Sequence, residues 1–116
     1  MRRVIVESPY AAETDDESER NLRYLRACLA DCLHRGEAPF ASHGLYTQPG
    51  VLDDSDPEQR KLGIEAGFAW RAMAEATIVY LDLGISRGMI KGIKDAENLQ
   101  IDEDHKIEYR ELGGEW

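Results

Sequence analysis

The chain has 116 residues, of which 42% are hydrophobic and 32% are charged, a composition too apolar for general disorder. This length suits one core and is too short for two, so we expect a single domain over residues 1–116. With 14 basic and 23 acidic residues, the net charge of -9 disfavours nucleic acid and anionic lipid as partners. No apolar run reaches the ~20 residues of a membrane span, and no signal-peptide core follows Met1, so we expect a soluble, cytoplasmic protein without membrane contact.

The first part of the chain predicts a strand, a helix and a weaker strand. Residues 3–7 are β-branched and apolar and end at a Ser-Pro pair, which predicts a strand because proline cannot continue a central ladder. Thr14 and Glu17 have capping-box spacing, and apolar residues then recur every three or four positions, which predicts a helix over residues 18–35. Residues 38–41 form a weak strand whose proline indicates a sheet edge or a strand start.

A long loop and a second helix follow. Residues 45–55 show no periodicity, and loops of about this length often close over a ligand. Asp56 and Pro57 predict a helix start, as N-cap and first-turn proline. We expect the buried stripe of this helix to consist of Leu62, Ala66, Ala69 and Met73.

The last part of the chain completes an alternating pattern. Residues 77–82 are apolar on both faces, as a central parallel strand should be. Ser86 is placed to cap a third helix, and residues 106–112 alternate in a way that suits a half-exposed strand. The order βαβαβαβ requires right-handed crossovers, so we predict the α/β class. The specific expectation is a small parallel-sheet, three-layer sandwich of flavodoxin-like or Rossmann-like type.

The carboxyl ends of these strands define a candidate ligand site, because open α/β sheets bind ligands in the crevice at that edge. Each predicted strand end there carries polar or aromatic side chains or glycine. The candidates are Ser8, Tyr10, His43, Asp82, Ser86, Arg87 and Gly88.

The turn from Ser86 to Gly88 is the most specific local feature. A helix N-terminus with small residues presents unpaired N–H groups and a partial positive charge to an anion, and Arg87 could add a charge-assisted contact. The alternative is an ordinary serine cap with a solvent-facing arginine.

Three other candidates also have simpler alternatives. Asp82 could accept hydrogen bonds from ribose, act as a base or attack an anomeric carbon, or it could only cap nearby N–H groups. Tyr10 could stack on a base or fill the surface over the strand end. His43 could contact a ligand, although a histidine with no partner at metal spacing is more often structural. The chain has no Walker loop, dinucleotide fingerprint, nucleophile elbow or zinc spacing, so we expect neither a cofactor nor a metal.

Several segments resemble a known family. The strand end at Ser8 to Tyr10, Asn21 in the first helix, the segment PFASH at residues 39–43 and the run DLGISRGMIKGIKDA at residues 82–96 are similar to the nucleoside 2-deoxyribosyltransferase-like family. This family includes small phage and bacterial relatives of unknown function. The resemblance implies a nucleoside or nucleotide ligand, cleavage or transfer at an N-glycosidic bond, and a homo-oligomer with sites near subunit boundaries.

The sequence departs from this family at one position. The resemblance implies a glutamate nucleophile shortly after the glycine of the turn, but residues 88–92 read GMIKG and no acid occurs before Asp95. We therefore predict a nucleoside- or nucleotide-binding domain that lacks the usual glutamate. The alternatives are an active deoxyribosyltransferase or N-glycosidase that uses Asp82, and a purely structural oligomer.

Overall fold

A computed structural model describes residues 1–102 and 104–116. Strands and helices alternate along the chain, and no helix in the described ranges is long and apolar enough to cross a membrane. The elements are β1 (Arg2–Glu7), α1 (Asp15–His34), β2 (Glu37–Phe40), α2 (Ser42–Leu45), α3 (Pro57–Arg71), β3 (Ala76–Tyr80), α4 (Arg87–Asp102) and β4 (Lys106–Arg110).

The four strands form one parallel sheet in the order β2-β1-β3-β4. The predicted α/β class and flavodoxin-like parallel sheet are confirmed. Strand β2 lies at the edge, as its proline predicted, and β1 and β3 are neighbours with Val4 opposite Ala76. Because the chain leaves β1 toward β2 on one side and reaches β3 on the other, a crevice opens at the carboxyl ends of β1 and β3.

Alternation along the strands divides the interior into two sides. Val4, Val6 and Ile78 pack with α1 in the main apolar cluster. Glu7 and Thr77, at the intervening positions, instead contact the side chain of Arg71, the last residue of α3. Since successive strand residues point to opposite faces, one side of the sheet is apolar and the other carries buried polar groups.

Helix α1 has the predicted capping residue but an earlier start. The backbone N–H of Glu17 donates to Thr14 Oγ1 at 3.2 Å, and the helix begins at Asp15, three residues before the predicted position. The acids in this first turn favour helix because carboxylates stabilise the positive end of the helix dipole. Gly36 follows the helix with a φ of 79°, a conformation that glycine adopts without a Cβ clash.

The predicted buried stripe of α3 is wrong, because Ala66 is only half-buried and the other three members, Leu62, Ala69 and Met73, are exposed. Leu62 is 57% exposed, and Met73 is 63% exposed and lies beyond the end of the helix. The buried residues of α3 are Gly67 and Arg71, because this helix packs closely on α2 and on the polar side of the sheet. Small and ion-paired side chains form that contact, so a search for apolar periodicity misses it.

Candidate functional site

A cavity of about 900 Å³ lies at the carboxyl edge of the sheet. Its walls are completed by helices α2 and α3, the starts of α1 and α4, and the segment between α2 and α3. The loop predicted at residues 45–55 therefore contributes to the cavity. The structure brings six of the seven candidate residues into this lining, while Asp82 is not among them. The six are Ser8, Tyr10, His43, Ser86, Arg87 and Gly88.

Ser8, His43 and Tyr10 form one contact group in the cavity wall. Ser8 Oγ lies 2.9 Å from His43 Nε2, and the rings of Tyr10 and His43 meet edge-on with centroids 6.2 Å apart. Burial, together with the positive charge of Arg71, lowers the pKa of His43 to about 4. The imidazole is therefore neutral at pH 7, with one nitrogen as donor and the other as acceptor.

A buried ion pair behind this group was not predicted from the sequence. Glu7 ends β1 and is 9% exposed, and Arg71 at the end of α3 is 3% exposed. Arg71 Nη2 donates to Glu7 Oε2 at 2.5 Å, its Nε donates to Asp95 Oδ2 at 3.0 Å, and its Nη1 donates to Thr77 Oγ1 at 2.7 Å. The guanidinium is thus held by three different elements of the fold.

The two carboxylate oxygens of Glu7 differ in their hydrogen bonds. Oε2 accepts from Arg71, whereas no hydrogen bond from a described residue reaches Oε1. The Glu7 side chain is 11% exposed and contributes to the lining of the cavity. A Cβ on Gly92 of α4 would overlap this carboxylate, so a glycine is required there.

The start of α4 forms a positively charged wall of the cavity. Ser86 Oγ accepts from the backbone N–H of Met89 at 3.3 Å, which confirms the predicted cap, and Gly88 has open space around its Cα. Arg60, Arg87 and Lys91 also line the cavity, and no acid in the described ranges forms a salt bridge with them. Three cations and a helix N-terminus therefore give this wall a positive character within an acidic protein.

Asp82 lies at the predicted strand end but serves other partners. Its carboxylate accepts from the Tyr24 hydroxyl at 2.6 Å and from the backbone N–H groups of Leu112 and Gly113 at 2.9 to 3.1 Å. Burial acts to raise the pKa of Asp82, but these hydrogen bonds outweigh it and lower that pKa below its ordinary range. Asp82 thus joins α1 to the segment after β4.

The cavity continues into a shallower groove of about 660 Å³ between α3 and α4. Both spaces are lined by Arg60, Ile64, Phe68 and Lys91, so basic and apolar side chains form the boundary between them. Within the described ranges, no group of three or more His, Cys, Asp or Glu side chains is arranged to hold a metal ion.

Comparison with known proteins assigns the chain to a family. Residues 2–108 match the domain of unknown function DUF7768. The chain belongs to this family. It has no match among curated proteins.

A 2-deoxyribosyltransferase from the psychrotolerant bacterium Bacillus psychrosaccharolyticus is among the solved structures with a similar fold. The alignment covers 98% of this chain and 75% of that chain, with a TM-score of 0.60 and 15% sequence identity. At this identity the likeness shows a shared fold, in agreement with the fold class predicted from the sequence.

Proposed function

We propose that this DUF7768 domain binds a nucleoside or nucleotide in the cavity at the carboxyl edge of its sheet. The observation that carries this proposal is the combination of one aromatic and hydroxyl wall with one cationic wall around a space of about 900 Å³. Ligand cavities of several hundred cubic ångströms with a few convergent polar groups are typical of small-molecule sites.

The wall of Tyr10, His43 and Ser8 suits the base and sugar. A tyrosine ring offers an apolar face for stacking, and a neutral imidazole offers both a donor and an acceptor. The hydrogen bond of 2.9 Å between Ser8 and His43 holds both side chains in place before a ligand arrives. Such preorganisation reduces the entropy lost on binding.

The wall formed by α4 and the three cations suits a phosphate. The N-terminus of α4 offers backbone N–H groups, and Arg60, Arg87 and Lys91 supply positive charge without a competing salt bridge among the described residues. We therefore favour a nucleotide over a nucleoside. The similarity in fold to a 2-deoxyribosyltransferase supports a ligand of this class.

Calorimetric titration with a panel of nucleosides and their 5′-monophosphates tests the proposal. We expect binding of a nucleotide, weaker binding of its nucleoside, and loss of affinity in Tyr10→Ala and Arg87→Gln. Arg26→Gln, on the exposed surface of α1, is the matched control and should bind as the unchanged protein does. If no member of the panel binds, the proposal is wrong.

Two alternatives make different predictions. An enzyme that uses Asp82 would release free base, and Asp82→Asn would abolish the release in a variant whose circular dichroism shows that it is folded. In a purely structural oligomer, Trp70 is the expected interface residue because it is 54% exposed. The centroid of its ring lies 5.3 Å from that of Phe40. Sedimentation of the unchanged protein and of Trp70→Ala distinguishes this role, because only an interface tryptophan would change the oligomeric state.

A further inference from the structure

We infer that the ligand of this cavity carries a pyrophosphate, and that its second phosphate lies in the groove between α3 and α4. This inference rests on the proposed nucleotide site and specifies its ligand further, because a nucleoside monophosphate would leave the groove empty. It is drawn from a row of cations on α4 that leads from the cavity into the groove.

Three cations of α4 form this row. Arg87, Lys91 and Lys94 stand at positions i, i+4 and i+7, which share one face of a helix and span about 10 Å along its axis. Of the two spaces, Arg87 lines only the cavity, Lys91 lines both, and Lys94 lines only the groove. The positive surface of the cavity therefore continues along α4 into the groove.

Helix α3 supplies cations on the facing wall. Arg60 lines both spaces, as Lys91 does, and Lys61 lines the groove. Among the described residues, Arg60, Lys91 and Lys94 form no salt bridge. Cations on facing helices repel one another, so an anion between them is favoured, even though the chain as a whole has a net charge of -9.

Two acids also line the groove, and neither removes this positive charge. Asp95 Oδ2 accepts from Arg71 Nε at 3.0 Å, and Arg71 is 3% exposed, so a cation inside the fold already neutralises that carboxylate. Glu65 lies 3.9 Å from Lys61 on the exposed surface of α3. An exposed pair at this distance is weak and screened by solvent, so Lys61 stays available to a phosphate.

The row of cations extends further than one phosphate requires. The start of α4 with Arg87 suits the 5′-phosphate in the cavity, and Arg60 and Lys91 stand where the two spaces meet. Lys94 is seven residues from Arg87, so the two cations serve different phosphates. A phosphate linked to the first would pass between Arg60 and Lys91 and meet Lys94, whose ammonium group binds phosphate oxygens as a point charge.

The groove also offers an apolar surface beside these cations. Ile64 and Phe68 line both spaces, and Asn98 lines the groove. An aromatic ring stacks on a base or packs on a sugar, so a group attached to the second phosphate would have a surface on which to lie. A nucleoside diphosphate, a sugar nucleotide and a dinucleotide all contain the pyrophosphate, and titration distinguishes them.

Calorimetric titration with the 5′-mono- and 5′-diphosphates of the common bases tests the inference, in EDTA so that no divalent cation complexes the pyrophosphate. We expect the diphosphate of the preferred base to bind at least about tenfold more tightly than its monophosphate, since one more charge-assisted contact has about that effect. Lys94→Gln should weaken binding of the diphosphate more than that of the monophosphate and reduce this ratio at least about threefold. Lys106→Gln is the matched control, because it removes an exposed lysine of β4 that lines neither space, and its ratio should equal that of the unchanged protein.

The possible failures are distinguishable. Equal binding of the monophosphate and the diphosphate would overturn this inference and leave the proposed nucleotide site standing. Absence of binding by every member of the panel overturns both. A ratio that is the same in Lys94→Gln as in the unchanged protein would show that the second phosphate does not lie in the groove.

A third arm identifies what is attached to the second phosphate. It compares the diphosphate of the preferred base with its extended forms, such as ADP-glucose and NAD⁺ for adenine or UDP-glucose for uracil. Tighter binding of an extended form, lost in a Phe68→Leu variant that circular dichroism shows to be folded, would identify a sugar or second nucleoside lying over Phe68. Tighter binding of the plain diphosphate would identify a free terminal phosphate in the groove.

Discussion

Arg71 donates to Glu7 at 2.5 Å across the packed surface between α3 and β1, and both side chains are buried. Removing one partner of a buried ion pair leaves an uncompensated charge, which typically costs about 3–5 kcal/mol. We therefore expect Arg71→Met to lower the free energy of unfolding by about that amount. Urea unfolding followed by circular dichroism measures the change.

The exposed pair of Arg3 and Glu75 supplies the control for this prediction. Arg3→Met should change stability far less, because solvent screens an exposed pair. The double variant Glu7→Leu with Arg71→Met should recover part of the loss, since an apolar pair leaves no buried charge. A loss for Arg71→Met no larger than that for Arg3→Met would show that the buried pair is not required for the fold.

The two glycines of α4 predict opposite responses to alanine. Alanine is favoured over glycine in a helix by about 1 kcal/mol, and nothing lies near a Cβ built on Gly88, so Gly88→Ala should leave stability unchanged or raise it. At Gly92 the added methyl would displace the buried Glu7 carboxylate, so Gly92→Ala should destabilise the protein despite the same gain in propensity. Urea unfolding of both variants checks this, and a more stable Gly92→Ala would contradict the close contact.

Asp82 and Tyr24 should act as one structural unit. Their hydrogen bond of 2.6 Å and the two backbone N–H groups on Asp82 predict a loss of about 1.5–3 kcal/mol for Asp82→Ala. Tyr24→Phe should lose part of the same energy, so a double-mutant cycle should give a non-additive result. Trp116 lies 4.6 Å from the Tyr24 ring, and its fluorescence should report the loosened segment. Additive losses would contradict the coupling.

The sequence predicted the edge of the sheet at which the site lies but not the face. Apolar runs in β1 and β3 were sufficient to predict parallel neighbours, and the residues after each strand then fall at one edge. Asp82 and Glu7 nevertheless contact opposite sides of the sheet, because side-chain direction alternates along a strand and a single position reverses it.

The buried ion pair was only partly visible in the sequence. Glu7 is an acid at the end of an apolar strand, which is a recognisable signal for a buried charge. Its partner Arg71 lies 64 positions away, and no local pattern links the two residues. Arg71 also stands at the end of a helix whose buried side has little apolar surface, so periodicity gave no reason to place it inside.

Two histidines predict how stability depends on pH. Burial and Arg71 lower the pKa of His43 to about 4, and burial lowers the pKa of His105, which hydrogen-bonds to Thr77 at 2.7 Å. The folded protein binds these protons less readily than the unfolded chain does, so protonation favours the unfolded state. The contribution of the two histidines to the free energy of unfolding is therefore complete above about pH 6.5 and decreases as the pH falls toward 4. We expect a loss on the order of 2 kcal/mol over that window, measured by urea unfolding at each pH. His43→Gln should flatten the curve, whereas His34→Gln, at an exposed position, should not. A curve for His43→Gln as steep as that of the unchanged protein between pH 6.5 and 4.5 would show that the His43 ring is not held neutral, because the opposing effect of Glu7, whose pKa is raised by burial, is the same in both proteins.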